Sequence, residues 1–182
     1  MAFLSQTGLR LDPVLNHNFL INLIDSPTSL GVLTSTVVFD VLAGGFMECS
    51  GIDMSMQPEE WKEGGNNGRV LKFASRVTWS NITLKKGVAA NTALWDWHYG
   101  FVEGKGKRRD GLIILLSDLH VPNNIWSFRK GLPVKYSGPA MNATQNNVAI
   151  ESIEIAHEGI YQVPLVGLGS AGISELAKIG AQ

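Results

Sequence analysis

Apolar side chains recur at every second position in several short stretches of this chain, and only one stretch repeats them with the period of a helix. The first of these stretches places Phe19, Ile21 and Leu23 on one side and asparagines on the other. Such alternation is typical of a β-strand with one buried face. Further strands are predicted at residues 36–42, 111–119, 125–130 and 148–158, the first of them after a loop at residues 26–35. The chain is therefore predicted to be mainly β.

The helical pattern begins after Asn91, whose side-chain carbonyl is suited to cap a helix, and ends at Gly104. Its predicted buried face consists of Leu94, Trp97, His98, Phe101 and Val102, and the opposite face of Asp96, Gly100 and Glu103. One helix flanking the strands is expected.

Residues 46–86 have the pattern of a long β-hairpin. Residues 46–61 are extended and bend near Gly51, and residues 70–86 return with an interruption near Ala74-Ser75. Between them, residues 63–68 supply the glycines and asparagines that a hairpin tip requires. Trp61 lies beside this tip, where an exposed aromatic side chain is a candidate anchor for an interface.

The stretch 148–158 carries two apolar pairs that are out of phase. Val148 and Ile150 share one parity, and Ile153 and Ile155 share the other. A β-bulge near Glu151-Ser152 would bring both pairs to one face. Bulges add the twist that a closed barrel or ring needs.

At 182 residues, with 45% apolar and 17% charged side chains, the chain is predicted to form one domain, residues 1–182. Cys49 is the single cysteine, which excludes an internal disulfide and suits a reducing cytosol. The first residues lack the pattern of a signal peptide, and no apolar run is long enough for a transmembrane helix.

Charge is segregated along the chain although its net value is -1. Residues 1–61 carry seven acids and one base, residues 62–135 thirteen bases and five acids, and residues 136–182 four acids and one base. These blocks either neutralise one another inside the fold or give opposite faces of a subunit opposite signs, which would favour stacking.

No arrangement of side chains predicts catalysis or metal binding. Glu59 and Glu60 are adjacent on a strand and point to opposite faces, so they cannot share a substrate. The four histidines have no ligand spacing among themselves or with Cys49. No cofactor, no metal and no enzymatic activity are expected.

Two further motifs have simple interpretations. Residues 64–69 are glycine-rich but lack the Gly-Lys-Ser/Thr ending of a phosphate-binding loop. Residues 105–109 contain four bases, without the aromatic residues or recognition helix of a nucleic-acid site. They are interpreted as a solvated turn or, alternatively, as an electrostatic contact between subunits.

Long phrases of the sequence carry a family resemblance. They are Gly44-Gly45-Phe46 with Cys49-Ser50-Gly51-Ile52-Asp53, Glu63-Gly64-Gly65-Asn66-Asn67-Gly68, Ser80-Asn81-Ile82-Thr83-Leu84-Lys85-Lys86-Gly87, Ala93-Leu94-Trp95-Asp96-Trp97, and Val134-Lys135-Tyr136-Ser137-Gly138-Pro139 with Val148-Ala149-Ile150-Glu151-Ser152-Ile153-Glu154-Ile155-Ala156-His157-Glu158-Gly159. In this order and spacing, they resemble the tail tube proteins of contractile phage tails and of the injection systems derived from them. The resemblance covers about residues 12–159.

The resemblance implies a small β-barrel or sandwich with one flanking α-helix and an extended β-hairpin, in subunits that form sixfold rings. The rings stack into a hollow tube, whose inner wall would include the strands around residues 70–86 and 148–158. The hairpin would contact a neighbouring subunit or ring through Glu59, Glu60, Trp61, Glu63, Gly64, Gly65, Asn66, Asn67, Gly68 and Arg69. The helix side would face the sheath through Asp96, Tyr99, Glu103, Lys105, Lys107, Arg108 and Arg109.

The implied partners are further copies of the chain, the tail sheath protein, baseplate or hub proteins and a tail terminator. Cargo or DNA would pass through the lumen without specific binding. The particle, a phage tail or an injection system, would be assembled in the bacterial cytoplasm, with no stable membrane anchoring of this subunit.

Two segments depart from the family pattern, namely a longer insertion at residues 26–43 and a C-terminal extension at residues 160–182. Because of these segments, the chain could alternatively form the baseplate-proximal initiator ring and not the bulk tube. A monomeric β-barrel that binds a small ligand in its interior is the alternative from a different class.

Overall fold

The structure, a computed structural model, describes residues 15–25, 45–65 and 68–163. Within them lie eleven strands and one helix. They are β1 (Phe19–Asp25), β2 (Phe46–Ser50), β3 (Met54–Met56), β4 (Glu59–Trp61), β5 (Leu71–Phe73), β6 (Val77–Trp79), β7 (Ile82–Gly87), α1 (Ala93–Val102), β8 (Arg109–Leu116), β9 (Pro122–Ser137), β10 (Ile150–Ala156) and β11 (Ile160–Val163). The predicted mainly-β fold with one helix is confirmed. The predicted loop at 26–35 and strand at 36–42 lie outside the described residues.

Seven strands form one antiparallel sheet in the order β1-β8-β9-β10-β7-β2, with β11 also paired to β9. The long strand β9 divides this sheet into two halves. Its first part pairs with β8 and β11, and its last part pairs with β10. Strands β1 and β2 are the two ends of the path within one chain.

The core lies where the two halves and α1 meet. Its buried side chains are Ile82, Leu84, Leu94, Trp97, Ile113, Phe128, Ile153, Ile155 and Ile160. In β7 and β10 every second residue is buried, so each strand turns one face to the core and the other away from it.

The cap of α1 is confirmed, because the Asn91 Oδ1 atom accepts a hydrogen bond from the Ala93 N–H at 2.7 Å. Gly104, which has a φ of +73°, follows the end of the helix as predicted. Leu94 and Trp97 are buried, but the placement of Val102 on the buried face is wrong, since this side chain is exposed. Val102 is the last helical residue, where the chain already turns away from the sheet.

The predicted bulge near Glu151-Ser152 is also wrong. Strand β10 pairs with β7 in continuous register from Ile150 to Ile155. Ile150 is exposed, and Glu151 occupies the buried position that an apolar residue would normally take. A charged side chain is stable there because Lys86 neutralises it.

The irregularity of β10 lies instead on its β9 side. Glu154 faces Lys135 and Ile155 faces Pro133, so Val134 is an extra residue on β9. Strand β9 is also much longer than the predicted strand at 125–130. Gly131 lies at the transition between the two halves, where a Cβ atom would collide with backbone and core atoms.

Candidate functional site

The hairpin between β2 and β7 extends beyond the sheet as an arm, defined here as residues 54–79. It consists of two short ribbons, one formed by β3 and β6 and the other by β4 and β5. The predicted interruption near Ala74-Ser75 is confirmed, because these residues separate the ribbons. At this break the Ser75 hydroxyl donates a hydrogen bond to the Gln57 carbonyl. The stretch from Met54 to Trp61, at ~3.3 Å per residue, can span at most ~25 Å.

The ribbon nearer the sheet is amphipathic. Met54 lies opposite Trp79, and Met56 lies opposite Val77, so these four apolar side chains share one face. On the other face the hydroxyls of Ser55 and Thr78 are 2.9 Å apart.

The ribbon nearer the tip repeats the pattern. Trp61 faces Leu71, and Phe73 faces Glu59 on the same side. On the other side Glu60 and Lys72 form an exposed ion pair at 3.8 Å. Each ribbon thus has one largely apolar and one polar face.

The apolar face of the arm is open. Met54 is 70% exposed, Trp61 62% and Phe73 54%. An isolated two-stranded ribbon is marginal in water, and contiguous exposed apolar surface marks an interaction site. The arm therefore has the composition of a surface that another molecule covers.

The root of the arm is held firmly on the sheet. Gly51 adopts a φ of +89°, and a Cβ atom there would overlap the Asn81 carbonyl, so the predicted bend near Gly51 is confirmed. The Asn81 amide nitrogen donates to Glu154 Oε1 at 2.7 Å. His157 Nε2 lies 3.0 Å from the Ser80 carbonyl, and burial lowers the pKa of this histidine, which favours the neutral ring. The direction of the arm is set by these contacts.

The predicted contact residues of the hairpin lie at the outer end of the arm. Glu59, Glu60 and Trp61 form β4, and Glu63, Gly64 and Gly65 form the first part of the turn. Gly68 and Arg69 lead into β5, whereas Asn66 and Asn67 lie outside the described residues. The sequence analysis did not find the apolar face formed by Met54, Met56, Val77 and Trp79. The alternation of these residues was the available signal.

The predicted sheath-side residues surround α1. Asp96 and Tyr99 are on the helix, Glu103 follows it, Lys105, Lys107 and Arg108 are in the next loop, and Arg109 begins β8. The helix and this loop enclose a groove of about 320 Å³, lined by Asp96, Lys105, Lys107 and Arg109 among others.

Several contacts fix the loop against the helix. Trp97 Nε1 donates to the Lys107 carbonyl at 2.8 Å, and the Arg109 guanidinium lies 5.2 Å from the Trp97 ring. Arg108 forms an ion pair with Glu158 at 2.8 Å. The basic run is thus an ordered surface, with part of its charge already paired inside the subunit.

An aromatic pair covers the exposed side of the helix. Tyr99 stacks on Trp95 with ring centroids 5.8 Å apart, and Trp95 meets the edge of Tyr136 at 5.2 Å. Both helix side chains remain exposed. The helix side therefore combines aromatic and charged groups.

A polar network is buried beneath this pair. Lys86 Nζ and Glu151 Oε1 are 3.3 Å apart, and the Tyr136 hydroxyl donates to Glu151 Oε2 at 2.6 Å. Burial and the Glu151 carboxylate raise the pKa of Tyr136 to about 12. This network was not predicted from the sequence. Its signal was that Lys86 and Glu151 share the parity of the buried residues on their strands.

The face of the sheet that points away from the core is polar and balanced in charge, except for Ile150 at the start of β10. Lys85 pairs with Glu48 at 2.9 Å. In the next row Thr83, Glu154 and Lys135 lie side by side across β7, β10 and β9. These pairs join the basic middle block of the sequence to its acidic flanks. They support neutralisation inside the fold over opposite faces of opposite sign.

Within residues 15–25, 45–65 and 68–163, no group of three or more His, Cys, Asp or Glu side chains is placed to hold a metal ion. The helix in this part of the chain is too short and too polar to cross a membrane.

These features define a β-sheet protein with a rigidly mounted interaction arm. The family model described as T4-like virus tail tube protein gp19 matches residues 16–161. The chain belongs to this family of tail tube proteins. A comparison with curated proteins gives no match.

Solved structures share the fold. A chain in the anti-feeding prophage baseplate, 6-fold symmetrised, is 21% identical, with a TM-score of 0.70 over 86% of this chain and 99% of that one. A chain in the extended sheath-tube complex of an extracellular contractile injection system (PVC) is 23% identical, with a TM-score of 0.67 over 89% of this chain and 98% of that one. A chain in the tube-terminating cap of the anti-feeding prophage is 20% identical, with a TM-score of 0.65 over 87% and 98%.

Proposed function

We propose that this chain is the repeating subunit of the inner tube of a contractile tail or injection particle, in which six copies form a ring and the rings stack. The observation that carries the proposal is the arm, whose apolar face is exposed although its root is rigid. Such a surface gains stability when a second copy covers it. A contact between two different surfaces of the same chain generates rings or continuous stacks.

The two sides of the sheet suit two different surroundings. We infer that the polar face with Thr83, Lys85 and Glu154 lines the lumen, since it points away from the core and α1. Its charges are matched, so cargo or DNA would slide past without a binding site. The opposite side, with α1 and the groove beside it, would face the sheath.

The remaining partners follow from the position of a tube subunit. The lowest ring would meet baseplate or hub proteins, and the uppermost a terminator. The particle would be assembled in the bacterial cytoplasm, and this subunit would have neither a catalytic role nor a stable membrane anchor. The solved relatives come from a baseplate, a sheath-tube complex and a terminating cap. We favour the bulk tube over an initiator ring because the arm offers every copy the same means of stacking.

The ligand-binding monomer has less support. The described core is filled by apolar side chains, with Phe128, Ile82 and Leu84 fully buried. The groove beside α1 lies outside this core.

Negative-stain electron microscopy of the purified chain at rising concentration tests the proposal. Rings or hollow tubes are expected from the wild type. The double variant Trp61→Ser/Phe73→Ser should keep its fold by circular dichroism but lose assembly, because it removes apolar contact area. The matched control Glu60→Gln/Lys72→Gln alters the polar face of the same ribbon and should still assemble. A wild type that stays monomeric at all concentrations and binds a small ligand would contradict the tube assignment.

A further inference from the structure

A second exposed apolar surface lies at the far end of the sheet from the arm. It is formed by Val148 and Ile150 and is called the receiving patch. Val148 is 73% exposed, and it is the side chain nearest to the bare backbone of Gly87. Ile150 faces Gly87 across the β7–β10 pair, and the Val88 N–H donates to the Ala149 carbonyl at 2.9 Å. Val148 and Ile150 therefore lie on one side of an ordered piece of backbone.

The two segments around this patch carry no charge. Residues 88–95 and 138–149 contain no Asp, Glu, Lys or Arg, in a chain where these residues make up 17%. Met141 in the second segment is also exposed, and beside it the Asn142 side chain forms a local turn by accepting from the Thr144 N–H at 3.0 Å. Depletion of charge around an apolar centre is the composition of the core of a protein interface.

The arm and the receiving patch belong to opposite ends of the same strand. The arm joins β7 just before Ile82, whereas the patch lies beyond Gly87. The six residues of β7, at ~3.3 Å each, separate the two by ~20 Å, and the arm leaves β7 at the end opposite the patch. A subunit cannot reach its own patch, but a second copy displaced along the strand direction can.

We propose that the receiving patch of one copy accepts the apolar face of the arm from the next copy, a pairing that rests on the proposed tube function and names the surface the arm binds. Both surfaces are apolar and lie at opposite ends of one rigid sheet, so each copy gives one contact and receives another. Such a head-to-tail contact repeats without limit along an axis. The flexible Met54 and Met56 side chains are suited to pack against the β-branched side chains of Val148 and Ile150.

Cysteine cross-linking tests this pairing, since Cys49→Ser gives a background without thiols. Met56→Cys and Val148→Cys are made in separate chains, mixed, assembled and oxidised. Disulfide-linked dimers are expected from the mixture, and at least ~10-fold fewer from either variant alone, because the arm and the patch meet only between copies. A chain carrying both cysteines should give a ladder of multimers.

Two matched variants give the controls. Thr78→Cys, on the polar face of the arm, should cross-link to Val148→Cys at least ~10-fold less than Met56→Cys does, since strand faces point in opposite directions. Leu119→Cys tests another exposed apolar residue, in the β8–β9 turn, and should not cross-link to Met56→Cys. Equal yields from Thr78→Cys, or a preference for Leu119→Cys, would overturn the pairing.

Electron microscopy of the same samples separates the two proposals. Tubes without a Met56–Val148 cross-link would refute the receiving patch and leave the tube function intact. A chain that forms neither tubes nor cross-links would refute both. As a second readout, Val148→Asp should raise the concentration needed for tubes by at least ~10-fold, because it places a charge in an apolar contact, whereas Val148→Thr should raise it far less.

Discussion

Replacing Glu151 by Gln should destabilise the subunit far more than an ordinary surface change. The substitution keeps the size of the side chain but removes the carboxylate that lies 3.3 Å from the Lys86 ammonium, which is 2% exposed. Breaking a buried ion pair from one side costs ~3–5 kcal/mol. Since the free energy of unfolding of such domains is ~5–15 kcal/mol, the variant would lose much of its stability.

Urea unfolding of the dilute, unassembled chain, followed by tryptophan fluorescence, measures the change. The neighbouring pair gives a matched control, because Lys85 and Glu48 are 2.9 Å apart but both about half exposed. Glu48→Gln should cost less than ~1 kcal/mol. The double variant Lys86→Met/Glu151→Leu removes both charges and should recover most of the loss. Equal costs for Glu151→Gln and Glu48→Gln, or no recovery in the double variant, would refute this explanation of the buried pair.

Three further effects follow from single positions. Gly51→Ala should lower the free energy of unfolding by ~1–3 kcal/mol, because the positive φ of Gly51 and the Asn81 carbonyl next to it leave no room for a side chain. In the same urea titration, Gly64→Ala should have no effect, because a Cβ atom at this position meets open space. Burial, and to a lesser extent the Glu48 carboxylate, raises the pKa of Cys49 to about 11. Near pH ~8 the folded chain should therefore react with a disulfide reagent on the order of 100-fold more slowly than the urea-unfolded chain. Comparable rates would contradict this. Because the pKa of Tyr136 is raised to about 12, the neutral tyrosine stabilises the fold fully below pH ~10, and the stability advantage of wild type over Tyr136→Phe should shrink between pH ~10 and ~12. An advantage that stays constant over this range would show that the hydroxyl is not held by burial and Glu151.

The sequence predicted the parts of the fold that depend on local backbone chemistry. The bend at Gly51, the break near Ala74-Ser75 and the cap at Asn91 each follow from what one or two residues allow the chain to do. Their positions were therefore found without knowledge of the tertiary structure. The exposed Trp61 beside the tip followed in the same way.

The features that were missed depend on which strands become neighbours. A bulge near Glu151 was predicted because the apolar pairs on either side of this residue are out of phase. Only the register of β10 on β7 reveals that Lys86 is adjacent to it. The extent of β9 was hidden by Gly131 and Pro133, which normally interrupt strands and here mark the passage between the two halves.

The apolar face of the arm shows a second limit. Alternation at Met54 and Met56 predicts a buried face, but a sequence pattern does not tell whether the covering surface belongs to the same chain or to another. The exposure of these side chains in the single subunit supplies that information.

The arm lies between β2 and β7 in the chain and is connected directly to both strands, and this connection determines how force passes through the subunit. A pull on the arm enters the sheet through β2 and β7, and β7 is bonded on one edge to β2 and on the other to β10. The component of the pull along β7 loads these hydrogen bonds together, in shear, instead of opening them one after another. Force entering through the arm spreads across the sheet to β10 and β9. A subunit joined to its neighbours in this way is built to be pushed and pulled as one stiff piece.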